Sequence, residues 1–102
     1  MSVPKYDEMF NALLQAINDL GGSASTSEME RRVGSILNLS DSQLEEIHRG
    51  YSTKFRYRLS WTRNYLKRYG LLEKSSHGVW VLTAKGHGIK EVDKDEVKRF
   101  VK

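Results

Sequence analysis

Four stretches of this chain place apolar residues at helical spacing before the period changes. Met9, Phe10, Leu13, Leu14, Ile17 and Leu20 mark one face of a first helix, and Gly21-Gly22 ends the run. Pro4 lies just ahead of it, where a missing N–H costs little. The polar run Ser23-Ala24-Ser25-Thr26-Ser27 then supplies N-cap side chains. Ser25 with Glu28, or Ser27 with Glu30, gives a capping box that opens a second helix, with Met29, Val33, Ile36 and Leu37 as its buried stripe. Asn38-Leu39 leads to a further box, Ser40 with Gln43, and a short third helix carrying Leu44 and Ile47. Gly50 breaks that helix, and a fourth begins near Ser52 or Thr53. Its apolar stripe is Phe55, Leu59, Thr62, Leu66 and Tyr69, and Gly70 stops it in the position after the C-cap.

After Gly70 the period shortens. Leu71-Leu72-Glu73-Lys74 and Val79-Trp80-Val81-Leu82 read as strands joined by a four-residue hairpin loop, Ser75-Ser76-His77-Gly78. Trp80 is expected in the core. Thr83 can cap one more helical turn, through Gly88. The tail from Lys90 to Lys102 alternates charges around Val97, Phe100 and Val101 and reads as a short solvated helix or a linker. The predicted fold is mostly α with a small β-hairpin, a winged helix-turn-helix: a hairpin directly after a basic helix is that plan. A chain of 102 residues buries one core and not two, so residues 1–88 form one domain and 89–102 a charged C-terminal tail.

Composition narrows the function classes. Hydrophobic residues make up 38% and charged residues 29%, an ordinary mix for a globular domain, and no apolar run is long enough to cross a bilayer. Without cysteine there are no disulfides or thiolate metal sites, and a cytoplasmic location is expected. His48, His77 and His87 show no metal-ligand spacing, so neither metal nor cofactor is expected. The net charge of +4 is modest, but its distribution is not. Residues 1–48 are acidic on balance, whereas Arg49, Lys54, Arg56, Arg58, Arg63, Lys67 and Arg68 fall in residues 49–72 without a single acid among them. Solvated helix faces ordinarily mix Glu with Lys, because i,i+4 pairs support the helix. A helix of cations alone is the footprint of a phosphate-binding element.

At about 100° per residue, Arg56, Ser60, Arg63 and Lys67 fall on one stripe roughly 60° wide, with Tyr57, Asn64 and Arg68 beside it. Arginine can bond guanine or phosphate bidentately, and asparagine can bond adenine. Lys54 at the helix start, Lys74 on the hairpin, and Ser76 and His77 at its tip complete the expected DNA-contacting set. Trp61 and Tyr65 lie off the main apolar stripe; they either pack on the first helix or the wing, or set an aromatic edge against sugar or base.

The segments Val3-Pro4-Lys5-Tyr6, Arg58-Leu59-Ser60-Trp61-Thr62-Arg63-Asn64-Tyr65-Leu66-Lys67, Gly70-Leu71-Leu72-Glu73 and Gly78-Val79-Trp80-Val81-Leu82-Thr83, with Gly86, resemble the N-terminal domain of Mrr-type restriction endonucleases. The resemblance covers residues 3 to 88. It implies a winged-helix module that binds double-stranded DNA, methylated or otherwise modified, ahead of a PD-(D/E)xK nuclease domain on the same polypeptide. By the motif, Arg58, Trp61, Arg63, Tyr65, Leu66 and Lys67 carry the helix signature, and Trp80 and Thr83 that of the hairpin. Ala12 and Tyr69 depart from the family pattern, where a proline and a small residue are usual.

The chain itself is not expected to be an enzyme. Asp93 with Glu96-Val97-Lys98 echoes a metal-nuclease pattern, but that pattern needs neighbouring strands of a sheet, which a short charged tail cannot build. No glycine-rich phosphate loop or HExxH occurs. The main expectation is duplex binding through residues 52–69 and the wing. Four to six phosphate contacts would give a slope of log K on log salt of about −4 to −5. The alternatives are a winged helix that docks a protein through Trp61 and Tyr65, if those prove exposed, and a small transcriptional regulator.

Overall fold

Side-chain caps fix where most helices start. In the computed structural model, which describes residues 3–48 and 52–102, Ser25 Oγ accepts from Glu28 N (3.1 Å) while Glu28 Oε1 accepts from Ser25 N (2.8 Å). This reciprocal box selects Ser25 over Ser27 as the start of the second helix. Ser40 and Gln43 make the same pair of bonds, at 3.2 and 2.8 Å. Thr53, Thr83 and Asp93 each accept from the first turn that follows them.

A single 3-10 turn, Tyr6–Glu8, precedes α1 (Phe10–Asp19), β1 (Ser23–Ser25), α2 (Thr26–Ile36) and α3 (Asp41–Glu45). Next come the short strands β2 (Ile47–His48) and β3 (Ser52–Thr53), then α4 (Lys54–Arg68). The wing is β4 (Leu72–Ser76) with β5 (Val79–Leu82), followed by α5 (Ala84–His87) and α6 (Lys94–Val101). Helices α2 and α4 form the helix-turn-helix and β4–β5 the wing, so the fold is a winged helix.

The structure revises four details of the sequence reading. Ser23–Ser25 is a strand as well as a cap. It adds β1 to the wing in an antiparallel sheet of order β1-β5-β4, with Ala24 opposite Trp80. The third helix ends at Glu45, and Ile47 instead opens a two-stranded ribbon with β3. Gly50 and Arg49 lie outside the described residues. The wing turns in two residues rather than four: Ser76 pairs with Val79, His77-Gly78 makes the turn at Gly78 φ 75°, and the ladder shifts register between Lys74 and Ser76.

The fourth revision concerns the tail. It is the short helix that one alternative expected, but a docked one rather than a solvated one or a linker: α6 buries Val97 and Val101 in the same core as α1 and α4 and exposes its other face. Two sequence signals explain this: valines at i and i+4 make a narrow apolar stripe, and Asp93 caps the helix. Lys98 Nζ holds Asp7 Oδ2 at 2.9 Å, and the Asn11 side chain bonds both backbone groups of Val92. The rest of that core is built from Met9, Leu13, Leu14, Ile17, Met29, Val33, Leu59, Leu66, Leu71 and Leu72, whereas Leu20, expected on the apolar face of the first helix, is exposed because α1 ends at Asp19. Gly70, at φ 96°, ends α4.

Candidate nucleic-acid interface

Helix α4 is held along two sides, and what remains exposed defines the candidate surface. Phe55, Leu59, Thr62 and Leu66 are buried, as the periodicity predicts. Thr62 has no exposure and donates from Oγ1 to the Tyr6 carbonyl oxygen at 2.7 Å, tying the helix to the N-terminal turn. Arg58 is spent on the same segment: its Nη1 donates to the Val3 carbonyl at 2.6 Å. Tyr65 is half-buried against Tyr6 and Phe10, with ring centroids 4.8 and 6.1 Å away. Arg58 and Tyr65 are therefore packing members of the helix signature. Trp61 stays 43% exposed and meets the Tyr65 ring edge-on, with centroids 6.5 Å apart.

The opposite flank of α4 faces α2 and the wing. Arg63 lies over the Trp80 ring, its guanidinium carbon 5.7 Å from the centroid. Its Nε and Nη1 are buried without a hydrogen-bond partner among the described residues. Burial pulls the guanidinium below its ordinary pKa and the nearby Glu30 carboxylate opposes this; an arginine stays charged at neutral pH all the same. Trp80 is thus partly core and partly a brace for Arg63, a role that β-strand pattern alone does not reveal. Directly opposite residues on paired strands share a face, so Lys74, paired with Trp80, extends the same wing face outward.

Glu30 on α2 is the acid that sequence reasoning passed over. Its carboxylate, only 17% exposed, accepts from Arg56 Nε at 3.1 Å, while the Arg56 side chain stays 62% exposed. At the helix start, Lys54 pairs with Glu46 at 2.7 Å. The acid-free segment thus borrows its counter-charges from α2 and from the turn before β2, across the fold rather than along the helix. The signal was available in the acidic balance of residues 1–48, but not the pairing.

Beyond these, Lys67 and Arg68 in the last turn of α4 are exposed and make no ion pair or hydrogen bond among the described residues. Asn64 and Tyr57 are exposed on the outward face, and the half-buried Ser60 donates to the Tyr57 carbonyl oxygen at 2.6 Å. Ser76 and His77 are exposed at the wing tip. The first turn of α4 carries no acid, so nothing from that turn offsets the positive end of its dipole. At 15 residues the helix is about 22 Å long. No cluster of His, Cys, Asp or Glu among the described residues could hold a metal ion, and no described helix is long and apolar enough to cross a membrane.

The model of the Mrr N-terminal domain matches residues 6–91, from the 3-10 turn through α5. The chain belongs to the Mrr N-terminal domain family. A curated relative, the type IV methyl-directed restriction enzyme EcoKMrr of Escherichia coli (strain K12), is 29% identical over 86 residues, which are 84% of this chain. Those residues span only 28% of that enzyme, so the Mrr resemblance is to one domain of a longer protein. No solved structure matches the chain. The Mrr match ends before α6, the helix that closes the core of this chain beyond the family's boundary.

Proposed function

We propose that this domain binds double-stranded DNA as the targeting module of a modification-dependent restriction system, with α4 in the major groove and the wing on the neighbouring backbone. One observation carries the reading. The outward face of α4 presents Arg56, Asn64, Lys67 and Arg68 with no acid of its own, beside a wing face that adds Lys74. Lysine and arginine on phosphates supply affinity, and Asn64 is the group suited to a base edge. Arg63, held by Trp80, contributes a fixed positive charge more than a mobile contact. Ser76 and His77 reach the backbone beside the groove in this pose. Lys54, Tyr57 and Ser60 complete the surface.

The EcoKMrr description as a methyl-directed restriction enzyme supports modified DNA as the target and a nuclease elsewhere on the native polypeptide. The competing reading, a protein-docking winged helix anchored on Trp61 and Tyr65, is weakened because Tyr6 and Phe10 already engage Tyr65. Fluorescence anisotropy with methylated and unmethylated duplexes at about 50 mM salt tests the proposal. Binding that weakens on Lys67→Ala and Arg68→Ala supports it. Duplex binding indifferent to both substitutions removes the assigned face.

A further inference from the structure

On the flank of α4 turned away from α2 and the wing, the helix joins the 3-10 turn and α6 in an open cleft of about 580 Å³. Trp61 and Tyr57, one turn apart on α4, are 43% and 42% exposed along it, and Tyr6 and Tyr65 also line it. Lys5, Arg58 and Lys98 complete the lining, and its one acid, Asp7, is already neutralised by Lys98 at 2.9 Å. The cleft therefore combines ring surface with net positive charge.

We propose that this cleft is a stacking site for an unpaired nucleobase. The claim rests on the DNA-binding reading for how the base arrives, because the cleft adjoins the face of α4 assigned to the duplex. The chemistry is its own. A base inside a duplex shows only its edge, whereas an aromatic side chain offers a face, which only a base outside the stack can use. Lys5, whose ammonium makes no ion pair among the described residues, suits a phosphate beside that base. An acidic protein segment is the other occupant that positive charge would admit. The rings favour the base, since every base has a π-face and carboxylate side chains have none.

Two arms separate the sources of such a base. One probe is a duplex with 2-aminopurine in a central mismatch; the other is the same duplex, fully paired, with a short single-stranded extension carrying 2-aminopurine. At least one should bind about 5- to 100-fold tighter than the blunt, fully paired duplex, with the 2-aminopurine emission quenched. The mismatch arm reports extrusion and the extension arm a strand end. Trp61→Ala should abolish the gain while leaving the fully paired duplex within about twofold, and Trp61→Phe should restore most of it. Equal affinity for all three probes, or a gain that survives Trp61→Ala, overturns the site. So does displacement of the probe by polyglutamate without any preference for unpaired bases. If the paired duplex does not bind but the extension does, through Trp61, this inference stands and the duplex reading falls.

Discussion

The salt dependence of duplex binding can be set from the side chains that are free to reach phosphates. Seven cations lie between residues 49 and 72 in the sequence, but the fold spends several of them. Arg58 serves the Val3 carbonyl, Arg63 is wedged over Trp80, Lys54 is held by Glu46, and Arg49 lies outside the described residues. Lys67 and Arg68 remain, with Lys74 added from the wing and Arg56, which shares only its Nε with Glu30 and keeps its side chain 62% exposed. Each phosphate neutralised contributes about −0.9 to the slope of log K on log salt, so four contacts give about −3.6. A rise from about 50 to about 200 mM then weakens binding about 150-fold. In Lys67→Ala the slope should shrink to about −2.7 and the same rise should cost only about 40-fold. Arg63→Ala should lower affinity with little change of slope, because it removes a buried brace rather than a phosphate contact. The assay is anisotropy titration at four or more salt concentrations, with Glu91→Gln as the neutral control. Glu28 is unsuitable as a control because it closes the α2 capping box. A wild-type slope shallower than about −2, or one that Lys67→Ala leaves unchanged, would refute the assignment of these four side chains.

Three further substitutions probe the supports of the surface. Glu30→Gln releases Arg56 from its 3.1 Å ion pair and takes a negative charge from beside the groove, so duplex affinity at low salt should rise several-fold, read by the same titration. Thr62→Val deletes the bond to the Tyr6 carbonyl, which keeps only the Met9 N–H; urea unfolding should show a loss of about 0.5–1.5 kcal/mol. The pair Asp7–Lys98 makes stability pH-dependent. Burial raises the Asp7 carboxyl, but the Lys98 hydrogen bond and charge together outweigh it and hold it below its ordinary value. A depressed folded-state pKa means the contribution is present above the unfolded value, near 4, and is lost as pH falls through the folded one. Asp7→Asn should therefore flatten the acid limb of a stability–pH curve measured by thermal melts; an unchanged limb would show that α6 does not depend on the pair.

What the sequence made legible follows from what is local. The capping boxes at Ser25 and Ser40, the 3.6-residue stripes of α1 (Leu20 apart), α2 and α4, the stop at Gly70 and the cap at Thr83 all depend on neighbours within one or two turns, and they stand. The misses depend on distant partners. Ser23–Ser25 becomes a strand only because β5 offers it an edge, and polar caps give no sign of that. Ile47 leaves the third helix for a ribbon with Thr53. The α6 stripe is only two buried residues wide, too narrow to distinguish a docked helix from a solvated one without seeing the groove it fills. The same limit applies at the candidate site. Which face of α4 points outward was readable from its period; which of its cations are already engaged was not.

That last distinction carries a physical lesson about basic helices. A helix that must present cations outward still has to be anchored, and here two of its arginines do the anchoring. Arg58 delivers a charged donor to a backbone carbonyl near the chain start, and Arg63 spreads a desolvated guanidinium over an indole. Both uses suit arginine more than lysine, since a planar, weakly hydrated fork tolerates burial and stacks on rings where an ammonium does not. The cations left exposed and unpaired at the end of the helix and on the wing are Lys67, Arg68 and Lys74, two of them lysines. On phosphates a lysine serves as a point charge, so Lys67 and Lys74 should each tolerate replacement by the other cation. Arg63→Lys should not be tolerated, because an ammonium buried over Trp80 without hydrogen-bond partners would lose its hydration and gain no fork geometry in return. Charge-preserving swaps therefore separate the two classes: Lys67→Arg and Lys74→Arg should keep duplex affinity within about twofold, while Arg63→Lys lowers the melting temperature. If Arg63→Lys melted with wild type, the Trp80 contact would be incidental and Arg63 would rejoin the phosphate-facing set.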